Sequence, residues 1–116
     1  MSSEENKAIV RRFVEEVWGN ANLAVADELV APNILVHGAG TDNSVGIEHV
    51  KQLAQHIRAN NPTSSAQLDD IIADDDKVVV RVTARDVADP WAVITIFRLA
   101  DGKIVEEWGL VGKPWN

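Results

Sequence analysis

Val93-Ile94-Thr95-Ile96-Phe97-Arg98-Leu99-Ala100-Asp101-Gly102-Lys103-Ile104-Val105-Glu106-Glu107-Trp108 is the stretch that decides the fold. Runs of β-branched and aromatic residues flank Ala-Asp-Gly-Lys, the composition of a tight turn, and predict two antiparallel strands over residues 91–99 and 103–111. Successive side chains of a strand point to opposite faces. Trp91, Val93, Thr95, Phe97 and Leu99 therefore share one face of the first strand, with Ile94, Ile96 and Arg98 on the other. In the second, Val105, Glu107, Gly109 and Val111 oppose Ile104, Glu106, Trp108 and Leu110. An upstream strand over 77–86 orients the sheet. Its Val78, Val80, Val82 and Ala84 form an apolar face, shared with Asp86, that must meet the core, while Val79, Arg81, Thr83 and Arg85 face away. Glu107 then lies on the inner face, and a carboxylate on a buried sheet face usually lines something.

Upstream of this sheet the periodicity changes to that of helices. Ser2 and Glu5 have capping-box spacing. Ile9, Val10, Phe13, Val14, Val17 and Trp18 form one apolar stripe at the helical period, ended by Gly19. Asn22 opens a short second helix with Leu23, Ala26, Leu29 and Val30, stopped by Pro32. A short strand over 34–37 leads into the glycine-rich loop 38–44. A third helix over 46–60 turns Ile47, Val50, Leu53, Ala54 and Ile57 inward. A strand over 65–73, the acidic turn 74–76 and the turn Ala88-Asp89-Pro90 complete the chain. Helices first and a meander of strands after predict a single α+β domain over 1–116, three helices packed on one face of a curved, mostly antiparallel sheet. The outer sheet face mixes Val79, Ile94, Ile96, Ile104 and Trp108 with Arg81, Arg85, Arg98 and Glu106. That pattern predicts either a homodimer through this face or a monomer whose arginines cover it.

Composition removes several classes of function. A formal net charge of −7 disfavours nucleic acid and anionic membranes as partners. The absence of cysteine excludes disulfides, thiolate chemistry and cysteine metal sites, and the absence of tyrosine removes any phenol donor. The opening Met-Ser-Ser-Glu-Glu-Asn-Lys does not read as a secretory signal, so a cytoplasmic location is expected. No metal-ligand spacing is present: His49 and His56 are seven apart, and Asp74-Asp75-Asp76 lacks the glycine and distal glutamate of a calcium loop.

Four segments are similar to the NTF2-like superfamily, specifically its SnoaL-like polyketide cyclase and ketosteroid isomerase branch. They are Ile9-Val-Arg-Arg-Phe-Val-Glu-Glu-Val-Trp18; Ala26-Asp-Glu-Leu-Val-Ala-Pro32 with Val36-His37-Gly38; Gly46-Ile-Glu-His-Val-Lys51; and Ile94 through Trp108. The resemblance implies the cone fold of that superfamily, made more open here by a short central hairpin, with no external cofactor. It aligns His37 with the base carboxylate of the isomerases, Phe13 with their phenolic donor and Thr95 with their carboxylic donor. It aligns Gly109 with the catalytic aspartate of the cyclases and Glu107 with the histidine two positions before it.

These positions give the candidate site. His37 reads as a general base or as a hydrogen-bonded wall histidine. Glu107 reads as an acid/base group with a raised pKa or as one half of a salt bridge. Phe13, Trp18, Trp91, Thr95, Phe97, Asp86 and Gly109 complete a substrate-binding set. For the aromatic members core packing is the alternative, and for Asp86 it is turn capping. Together they imply a pocket for a hydrophobic carbonyl-bearing or cyclic small molecule, with proton transfer of isomerase, cyclase or lyase type by His37 and Glu107. The alternative is a non-catalytic ligand-binding or dimerisation domain of the same fold, favoured by the missing phenol and aspartate.

Overall fold

The structure, a computed structural model, describes residues 2–38, 43–88 and 90–114. Most of the expected glycine-rich loop, residues 39–42, and Asp89 of the expected turn lie outside the described residues. Helix α1 (Ser3–Phe13) opens with the capping box: Glu5 N–H donates to Ser2 Oγ at 3.1 Å and Ser2 N–H donates to Glu5 Oε1 at 3.1 Å. Its stripe is buried through Val10, Phe13, Val14 and Val17. The last of these fall in a π-helical turn, Val14–Trp18, that continues α1. Gly19 closes that turn, and the residue must be small, because a Cβ there would stand 2.4 Å from the Glu15 carbonyl oxygen. Asn6, 4% exposed, donates through Nδ2 to the Asp75 carbonyl at 3.2 Å and ties α1 to the acidic turn between two strands.

Helix α2 (Leu23–Leu29) passes directly into β1 (Val30–His37), so this strand begins four residues before the expected Ile34. Pro32, which cannot donate to a sheet ladder, sits in the stretch between Val30 and Leu35 where pairing is irregular. After β2 (Ser44–Val45), α3 (Ile47–Asn60) buries Val50 and Ala54. Leu53, expected inward, is instead 54% exposed. Strands β3 (Ser65–Asp74), β4 (Lys77–Arg85), β5 (Ala92–Ala100) and β6 (Lys103–Gly112) follow, within a residue or so of the predicted bounds.

Among the described residues the sheet has the order β2-β1-β6-β5-β4-β3, with β1 and β6 parallel and every other neighbouring pair antiparallel. Helix α1 and its π-turn pack on β3, with α1 also reaching β4; α2 and α3 pack over β1. The result is the expected α+β arrangement of three helices on one face of a curved, mostly antiparallel sheet. The inner face is as predicted for β4 and β5: Val78, Val80, Val82, Thr95, Phe97 and Leu99 are buried. One assignment changes. Ile104, expected on the outer face, is fully buried and pairs with Leu99. The register shifts between Arg98 and Leu99, so one extra residue of β6 reverses its parity before Glu106.

Candidate active site

Cross-strand partners share a sheet face, so the register identifies what surrounds Glu107. Val36 of β1 pairs with Glu107 of β6 and also with Ser44 of β2, while Glu107 pairs with Phe97 of β5. Ser44, Val36, Glu107 and Phe97 thus form one transverse row on the inner face. Leu35 and Val45 pair on the other face and are 40% and 70% exposed. The Glu107 carboxylate ends in a buried Oε2 with no hydrogen-bond partner among the described residues. Burial away from water disfavours its charge and pushes its pKa from 4.5 up to about 7. Ser44 Oγ is likewise buried without a partner among the described residues.

Beside this row lies an aromatic cluster. Phe13, Trp18 and Phe97 stand 5.6–5.7 Å apart, centroid to centroid, in edge and tilted arrangements. The π-turn carries Trp18, which is only partly buried, while Phe13 and Phe97 are fully enclosed. One pleat further on, Thr95 pairs with Gly109 on the same inner face and is 2% exposed. A Cβ at Gly109 would come within 3.3 Å of Thr95 Oγ1, a tight contact that the threonine hydroxyl relieves by giving a few tenths of an ångström.

His37 lies elsewhere. It pairs with Trp108, on the outer face, and its ring stacks on the indole at 5.2 Å with planes 7° apart. Its Nε2 donates to Glu106 Oε2 at 2.7 Å, and Arg98 Nε donates to Glu106 Oε1 at 3.0 Å. The His37 hydrogen bond, helped by Arg98, holds the Glu106 carboxyl below its usual value against the opposing effect of partial burial. The sheet therefore separates His37 from Glu107, and the expected acid/base pair is not formed. The reason is the parallel β1–β6 register, which aligns Val36, not His37, with Glu107.

The remaining candidates are dispersed. Trp91 precedes β5, is half-buried, and accepts a hydrogen bond from Ala84 N–H through its carbonyl. Asp86 is exposed with φ +59°, and its carbonyl accepts from Thr63. It lines a surface cleft of about 520 Å³ together with Asp69, Arg81, Thr83, Pro90 and Pro114. A second cleft, about 310 Å³, runs along α1 between Glu4, Lys7, Arg11 and Glu15. Neither cleft is lined by Glu107. Among the described residues no cluster of His, Asp or Glu could hold a metal ion, and no helix is long and apolar enough to cross a membrane. Ser44 and the Glu106–Arg98 pair carry no sequence signal as site residues. Nothing in a two-residue strand marks Ser44, and Glu106 gains its partners only through the sheet register.

The model of the SnoaL-like domain matches residues 10–107. The chain belongs to the SnoaL-like domain family. A candidate SnoaL-like polyketide cyclase from Jannaschia sp. CCS1 superposes with a TM-score of 0.83 at 20% identity, over 94% of this chain and 86% of its own. IdmH, a candidate polyketide cyclase from Streptomyces antibioticus, superposes with a TM-score of 0.79 at 22% identity, over 91% of each chain. An NTF-2-like protein of unknown function from Burkholderia xenovorans LB400 gives 0.81 at 10% identity, over 97% and 87%. No curated protein matches the sequence significantly. At these identities the likeness establishes a shared fold: the SnoaL-like domain described here is an α+β cone of the NTF2-like type.

Proposed function

We propose that the inner end of the sheet around Glu107 binds a largely apolar small molecule and that Glu107 transfers a proton to or from it. The observation that carries this reading is the buried Glu107 Oε2, without a partner among the described residues and beside Phe97 and its aromatic cluster. An isolated carboxyl of this kind costs stability, and a group poised near neutrality suits general acid/base work. The ligand class that fits is a carbonyl-bearing or cyclic hydrophobic molecule, and the reaction type is isomerisation, cyclisation or elimination. Glu107 acts alone in this reading, with Thr95 and Trp18 as wall residues.

Ring-opening of an activated benzisoxazole, a proton abstraction from carbon, tests it between pH 5 and 9. The expected rate rises with a midpoint near 7 as Glu107 ionises. It should fall by roughly 10²–10⁴ in Glu107→Gln, the scale of a general base. Background rates in both proteins would favour the second reading, a non-catalytic binding domain, for which the observation is the phenylalanine and glycine at positions 13 and 109.

We also propose that the outer face pairs with a second copy. Ile72, Ile94, Ile96, Leu35 and Leu110 are each at least 36% exposed on or beside it, while Arg98–Glu106 and Arg81–Asp70 are already paired within the chain. Arg85 stands at the exposed end of β4 with Gln67 as its partner, so the apolar centre of the face, between internally paired charges, can be buried against its own copy without stranding a charge.

A further inference from the structure

Ser44 and Glu107 present the same anomaly in the same row. Each ends in a buried oxygen without a hydrogen-bond partner among the described residues, and each flanks Val36, which pairs with both. Buried polar atoms are nearly always partnered, because leaving one unpaired costs its hydration. Two such atoms on one line of one sheet face therefore mark positions that a bound molecule would satisfy. With β1 between them, their backbones stand two strand spacings apart, about 10 Å. The wall between is apolar: Val36 packs against the core.

From this juxtaposition we infer that Ser44 is a second ligand-binding residue. The ligand class is a flat apolar body of one or two fused rings carrying an oxygen at each end. One oxygen meets the Glu107 carboxyl and the other the Ser44 hydroxyl, which can donate to a carbonyl or accept from a hydroxyl. The inference rests on the Glu107 reading for one of the two contacts and on Ser44 alone for the other. It also carries a consequence for the free protein. A hydroxyl buried without a partner stabilises nothing, so removing it should leave the melting temperature unchanged or raised.

The experiment compares 2-naphthol with naphthalene-2,6-diol at pH 6, read by tryptophan fluorescence, in the parent, Ser44→Ala and Glu107→Gln. The diol is expected to bind the parent about three- to tenfold more tightly than 2-naphthol, the worth of one net hydrogen bond. That preference should vanish in Ser44→Ala, whose melting temperature should not fall. Equal binding of the two probes to the parent overturns the inference. So does a preference that survives Ser44→Ala, a failure of both probes to bind, or a marked loss of stability in Ser44→Ala. The benzisoxazole rate of Glu107→Gln against the parent reports separately on the Glu107 reading: if the two rates are equal while the diol preference still follows Ser44, the acid/base assignment fails and the Ser44 contact stands.

Discussion

Replacing Glu107 by glutamine should remove a pH-dependent penalty that the folded parent carries. Burial raises this carboxyl from 4.5 to about 7. Below 4.5 it is protonated in both folded and unfolded chains and costs no charge burial. Between 4.5 and about 7 the unfolded chain releases the proton while the folded chain keeps it, so stability falls as the pH rises. Above about 7 both states are ionised and the loss is complete. At 1.36 kcal/mol per pH unit, that window amounts to about 3 kcal/mol. Glu106 and Asp69 work in the opposite direction. Hydrogen bonds from His37 and from Thr83, respectively, hold them low, so the stability they add is present above their ordinary values and lost in acid. Both remain in the variant and cancel in the comparison. The glutamine amide is also unpartnered, but its cost does not change with pH. Urea unfolding followed by tryptophan fluorescence at pH 5, 6, 7 and 8.5 would give the difference directly. The Glu107→Gln protein should gain on the parent steadily from pH 5 to about 7, by about 3 kcal/mol at most, and then hold level. Parallel profiles for the two proteins would mean that the carboxyl titrates as it does in water, and the reasoning from its isolation would be refuted.

Three further outcomes are expected. His37→Gln should leave the benzisoxazole rate within about twofold, since the sheet lies between His37 and Glu107; a loss comparable to that of Glu107→Gln would contradict the register described here. Gly19→Ala should destabilise by roughly 1–3 kcal/mol in chemical denaturation, because the 2.4 Å approach to the Glu15 carbonyl forces the π-turn to shift. Ile96→Glu should convert a dimer to monomer by sedimentation velocity without lowering the melting temperature of the isolated chain; a parent that sediments as a monomer at high concentration would remove the outer-face proposal.

Much of the architecture was legible because it rests on local periodicities. The capping box at Ser2–Glu5, the apolar stripe through Val10 and Phe13, and the alternation of β4 and β5 each involve residues a few positions apart. The first departures come where one residue changes the count. The shifted register near Leu99 and Ile104 turned an outer residue into a core one, and β1 ran through Pro32 because pairing lapses there. The candidate site was less legible for the same reason at larger scale. Glu107 could be placed inward from the parity of a single hairpin. His37 could not, because its face depends on how a strand some seventy residues upstream aligns with β6.

The sequence by itself determined the helix and strand sequence, the inward carboxylate and the apolar outer face, since each follows from side-chain spacing within one element or one hairpin. Only the tertiary structure decided that His37 stacks on Trp108 with Glu106 behind it, and that Ser44, Val36 and Glu107 share a row. Those facts are set by the parallel β1–β6 pairing and by the two-residue strand beside it. Register between distant strands is a property of the packed sheet, and a slip of one residue would exchange every side chain between its faces.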